Sequence, residues 1–167
     1  DKYTESIDTF STAVAESESA LTTFKSKVQT LDKLNWKVGL GMELSEDDIE
    51  EYRTAIDEFV ESAKTYVEDK QYEATVALKL ILGEEGTDYT SGLNSMYADL
   101  QSQIDDLSGQ LTAQLDIALE DGVITLDEQA EITNIQQQIT DITNKVAQAE
   151  SDAQFAAIKI RYGGAEL

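Results

Sequence analysis

The chain has 167 residues, with 34 acidic against 12 basic side chains, a net charge of −22, and no histidine, cysteine or proline. Such a charge repels nucleic-acid phosphates and anionic lipid headgroups, so neither nucleic acid nor a membrane surface is an expected partner. Without histidine there is no Ser-His-Asp triad and no histidine-ligated metal; without cysteine there are no disulfides, thiolate nucleophiles or ordinary structural zinc sites.

The chain starts on Asp1 rather than methionine, which points to an excised segment or a processed product. Lack of proline favours long uninterrupted helices. Apolar residues then recur at spacings of four and three, the pattern of an inward seam. The first run is Tyr3, Ile7, Phe10, Val14, Ser17, Leu21, Phe24, Val28, Leu31 and Val38. The second is Ile49, Tyr52, Ile56, Phe59, Ala63 and Tyr66, continuing less cleanly through Ala74, Ala77 and Leu80. The third is Leu93, Tyr97, Leu100, Ile104, Leu107, Leu111, Leu115 and Ala118. The fourth is Ile132, Ile135, Ile139, Ile142, Val146, Ala149, Ala153, Ala156 and Ile160. The fold class is therefore all-α: four long helices with coiled-coil-like heptads, each roughly 45 to 57 Å long at about 1.5 Å per residue. No run reaches the eighteen or so apolar residues needed to span a bilayer.

Three breaks interrupt the runs, and they divide the chain. Residues 1–82 form a first helical hairpin with its corner at 39–44, 83–92 a linker, and 93–167 a second hairpin with its corner at 120–124. Behind each corner a hydroxyl residue precedes a carboxylate by three positions, Ser45 before Asp48 and Thr125 before Glu128, the arrangement of a capping box. The hairpins superpose at a constant offset of 80 residues. Ser45 falls on Thr125, Leu31 on Leu111, Phe24 on Ile104, Tyr52 on Ile132, Phe59 on Ile139 and Gly83 on Gly163. This is the signature of an internal repeat whose unit is helix, corner, helix. Periodicity alone leaves open whether the hairpins lie side by side as a four-helix bundle or end to end as a rod.

Candidate sites are few. "ALEDGVITLDEQ" (118–129) looks like half of a calcium loop, with Asp121, Gly122 and Glu128 in place. Counting back from Glu128 puts Ile117 and Leu119 where oxygen ligands belong, so a helical corner explains the stretch better than a metal. The acids Glu43, Glu46, Asp47, Asp48, Glu50 and Glu51 sit at a helix start, where they complement the helix dipole and have no nucleophile or base beside them. The lone tryptophan, Trp36, is expected to cover the end of the hairpin core, and the tyrosines at positions 3, 52, 66, 72, 89, 97 and 162 are expected to pack. No catalytic, cofactor-binding or metal-ligating residue is assigned, and an enzyme is not expected.

Two stretches carry a resemblance. "GMELSEDDIEEYRTAIDEFVESAKTYVEDKQYEATVALKLILGEEG" and "LDIALEDGVITLDEQAEITNIQQQITDITNKVAQAESDAQFAAIKIRYGGAEL" are similar to segments of tail tape measure proteins from phages and prophages of Gram-positive bacteria. The resemblance rests on the helix starts "LSEDDIEEY" and "DGVITLDEQAEI" and the helix ends "ATVALKLILG" and "FAAIKIRYGG". It implies an internal helical segment of a much longer structural chain whose length sets the number of tail-tube rings. The partners implied are proteins, through self-association or contact with tail-tube and tail-assembly proteins; the location is the virion tail, or the host bacterial cytoplasm during assembly. "LNWKVGLG" around Trp36 resembles the corner of secreted WXG-type helical hairpins, although glycine follows the tryptophan at the third position rather than the second. That gives the alternative, a secreted helical interaction or export protein.

Overall fold

In the computed structural model, residues 2–83 and 87–162 are described, and among them there are four helices and no strand. The helices are α1 (Lys2–Val38), α2 (Glu46–Leu82), α3 (Thr87–Ala118) and α4 (Leu126–Tyr162). Three of them have 37 residues and α3 has 32. α3 begins at Thr87, inside the segment expected to be a linker, and carries Gly92 within it. Gly92 does not end the helix: it faces open space, where a helix tolerates glycine at a cost of about 1 kcal/mol. The middle of that linker, 84–86, and Gly163 lie outside the described residues.

Both corners are built as the sequence predicts. Ser45 Oγ accepts from Asp48 N at 3.1 Å while the Asp48 carboxylate accepts from Ser45 N at 3.2 Å. Thr125 and Glu128 repeat the exchange at 3.1 and 3.0 Å. Each box satisfies donors that the first helical turn leaves orphaned and is worth about 1 kcal/mol. Gly41 and Gly122 take φ of +75° and +76° to reverse the chain, a conformation that strains any residue with a Cβ.

The two hairpins lie side by side with both corners at one end. Leu44 N donates to Gly122 O at 2.8 Å, tying one corner to the other. α2 packs on α1, α3 and α4; α4 packs chiefly on α2 and α3; among the described residues the backbones of α1 and α3 do not come close. The section is thus a flattened diamond with α2 and α4 across its short diagonal.

The offset of 80 is visible in this geometry. Val38 and Ala118, Glu46 and Leu126, and Leu82 and Tyr162 end or begin matching helices. Residues 80 apart also meet in space: Lys70 Nζ donates to Glu150 Oε2 at 3.3 Å, and Arg161 Nη1 donates to Ile81 O at 3.0 Å. Equivalent residues can touch along two helices only if the helices run parallel in the same register, as α2 and α4 do.

The seams form one continuous core. Leu31, Tyr52, Phe59, Ile104, Leu111, Ile132 and Ile139 are fully buried, and Phe24 stacks on Phe59 with ring centroids 5.5 Å apart. A polar chain crosses the corner end of this core: Tyr52 Oη donates to Asn35 Oδ1 (2.6 Å), Asn35 Nδ2 to Gln136 Oε1 (2.7 Å), and Gln136 Nε2 to Asp32 Oδ1 (3.2 Å). Three helices are fixed in register by it, because sliding any of them leaves a part-buried amide unpaired.

The seams loosen towards the other end. Ile7 is exposed, Phe10 and Val14 are only half-buried, and on α4 beyond Glu150 Ala157 stays buried and Ala153 partly so, while Phe155, Ile158 and Ile160 are exposed.

Candidate functional site

The seam positions that follow Tyr66 on α2 are not apolar. Lys70 and Glu73 occupy them, three residues apart and therefore on one face of the helix. On α4 the buried Glu150 lies one helical turn beyond Val146 and 80 residues after Lys70, and on α1 the seam residue at this level is Ser17. Helical periodicity thus drives two carboxylates, one ammonium and a hydroxyl into the interior, where Ser17, Glu73 and Glu150 are each at most 5 % exposed.

The groups satisfy one another. Ser17 Oγ donates to Glu73 Oε1 at 2.7 Å, Lys70 Nζ donates to Glu73 Oε2 at 3.0 Å and to Glu150 Oε2 at 3.3 Å, and Gln154 Nε2 caps the other Glu150 oxygen. The two carboxyl groups lie close enough to perturb each other's ionisation. Tyr66 and Tyr97 close the cluster from α2 and α3, and the Tyr97 hydroxyl donates to Val146 O at 3.3 Å.

Two carboxylates against one cation leave a buried negative charge, and the ionisation of the cluster reflects it. Burial, then the hydrogen bond and charge of Glu73, push Glu150 up to about 7 against the pull of Lys70. Burial also opposes the Glu73 carboxylate, but bonds from Glu150, Ser17 and Lys70 outweigh it and hold Glu73 below its usual value. Burial pulls the Lys70 ammonium down, yet Glu73 and Glu150 together raise it. The pair behaves as one unit that carries a proton near neutral pH.

Chemically the cluster can hold or release a proton and little else. The apolar groove nearby, about 620 Å³ and lined by Leu78, Leu82, Leu93, Met96, Ala157 and Ile160 among others, does not include Lys70, Glu73 or Glu150.

The residues singled out from sequence fall elsewhere. In the calcium-like stretch, the Asp121 carboxylate accepts from Val123 N at 3.2 Å and Glu128 is occupied in its capping box. Of the acids at the α2 start, Asp48 accepts from Lys37 Nζ at 3.1 Å, and this bond together with those from Ser45 holds its carboxyl below the ordinary value; the others line an exposed face. Tyr52, Tyr66 and Tyr97 pack as expected, whereas Tyr72, Tyr89 and Tyr162 are about half exposed; the Tyr3 side chain lies outside the described residues.

Trp36 does not cover the core; it is 73 % exposed. At about 100° per residue, two positions before the buried Val38 is the far side of α1. It stands with Leu40, Met42, Ile117 and Leu126, also exposed, at the corner end of the bundle.

Lys70, Glu73 and Glu150 were passed over because charged residues are ordinarily assigned to solvated faces. Part of the signal was present: the seam numbering continues 66, 70, 73 on α2 without a phase shift, and Glu150 stands 80 positions after Lys70, one place past the seam residue Ala149.

Fold and site together define an all-α protein: two corner-linked hairpins in a four-helix bundle with an enclosed carboxylate-lysine cluster. No family model, no curated protein and no solved structure matches the chain.

Proposed function

We propose that the chain is a non-enzymatic structural and assembly segment, of the kind that the resemblance to phage tail tape measure proteins implies. The observation that carries this reading is the core itself. Seams of four helices close on one another in register over most of a length near 55 Å, estimated at about 1.5 Å per residue. What such a body offers is length and surface. That surface is strongly acidic: the exposed ion pairs Lys27–Glu58, Arg53–Asp116 and Lys64–Asp105 occupy three of the few cations, and each contributes 1 kcal/mol or less, on the order of thermal energy. Among the described residues no helix is long and apolar enough to cross a membrane.

In-frame deletion of the coding stretch for one hairpin from its parent gene tests the reading. Virions with correspondingly shorter tails are expected; unchanged tail length, or a parent gene flanked by no tail genes, overturns it.

A second reading, a secreted helical interaction or export protein of the WXG type, is favoured by the exposed Trp36 beside a helical corner. A neighbouring gene for a secretion ATPase supports it over the first.

A further inference from the structure

We infer that the Lys70–Glu73–Glu150 cluster is a proton-operated latch between the hairpins, which grips when it holds a proton and loosens when it loses one. The geometry puts one cation between two carboxylates that sit on α2 and α4, the short diagonal of the bundle. Ser17 binds the same Glu73 from α1. Among the described residues towards the α1 start, only Ala13 is buried beyond Ser17 and 4–9 are all exposed, so this bond ties α1 to the bundle near the end of its buried stretch.

The groups that face the cluster come from every helix around it. α1 contributes Ser17; α2 contributes Tyr66, Lys70 and Glu73; α3 contributes Tyr97; α4 contributes Glu150 and Gln154. Lys70 is the sole cation among them, and the two tyrosines, raised by burial, stay neutral across the physiological range. With both glutamates ionised, one negative charge is left without a countercharge where water cannot reach it. A proton shared between the carboxyls removes that charge and turns repulsion into a hydrogen bond, at no cost in packing.

The direction of the effect follows from linkage. Glu150 is raised above its unfolded value of 4.5. Its protonated, gripping form therefore contributes stability that is full below that value and is lost as pH rises through about 7. Glu73 is lowered, so its contribution is present above 4.5 and lost only on further acidification. The latch is tightest in mild acid and loosest above neutrality.

Urea unfolding of the wild type and Glu150→Gln between pH 5 and 8 tests this. Glutamine imitates the protonated acid, so the two proteins should differ only a few-fold at pH 5, and the variant should be the more stable at pH 8 by a further roughly tenfold or more in the folding equilibrium constant. Parallel pH profiles overturn the latch. A readout that needs no variant is carbon-13 NMR of the glutamate carboxyls in the wild type. One resonance with a midpoint near 7 is expected, and titration of every glutamate below about 5.5 overturns the proposal.

Discussion

Replacing Ile139 with aspartate is expected to remove about 5 kcal/mol of the protein's stability. Ile139 is fully buried at the middle of α4, and Phe59, its counterpart 80 residues earlier, is equally buried on α2. Losing the isoleucine side chain from the core forfeits about 1.5–3 kcal/mol of transfer free energy. Placing a carboxyl there without a partner adds a penalty of several kcal/mol more, whether it ionises or is forced to stay protonated. The total is of the order of 5 kcal/mol, within the range of 5–15 kcal/mol that a whole domain possesses. Circular dichroism melting should show the cooperative transition lost or displaced far down. The exposed neighbour Gln138, changed to aspartate in the same way, should alter stability by about 0.5 kcal/mol at most.

The second large effect is expected from Lys70→Met. Methionine keeps most of the aliphatic packing of lysine, so the change isolates the charge. It leaves Glu73 and Glu150 facing each other with no cation, and removal of one member of such a buried set costs about 3–5 kcal/mol. The cost has a definite pH dependence. Without Lys70 the two carboxyls titrate higher in the folded state than in the unfolded chain. A raised acid contributes stability below its unfolded value and loses it as pH rises through the folded one. The penalty should therefore be greatest at pH 8 and shrink towards pH 5, where the carboxyls protonate. Urea denaturation at the two pH values separates this from a packing defect, which would cost the same at both.

Much of the fold could be read from the chain because it is locally encoded. Helix ends follow from glycines that accept positive φ at 41 and 122 and from hydroxyl-carboxylate pairs at 45/48 and 125/128, all short-range chemistry. The equivalence of the two hairpins was legible for the same reason. How they pack was not, because a seam shows which face of a helix is buried and says nothing about what buries it. That choice rests on long-range contacts such as Leu44 to Gly122 and Lys70 to Glu150.

The remaining differences have the same origin. Trp36 is large and apolar, but its phase on α1 puts it opposite Val38, and helical phase outranks residue type. Ile7 and Ile160 keep the period of their seams where no partner helix covers them, so a correct pattern ends on exposed residues. The carboxylate-lysine cluster is the converse case. Its residues have the wrong chemistry for a core, and on α2 the phase of Lys70 and Glu73 decided their place.

Small-angle X-ray scattering of the monomer tests the central claim, that two equivalent hairpins lie side by side with both corners at one end. At about 1.5 Å per residue, helices of 37 residues give a particle with a maximum dimension of roughly 60 Å, side chains included. That is the result expected. A dimension of roughly 110 Å, the length of two such hairpins placed end to end, would contradict it.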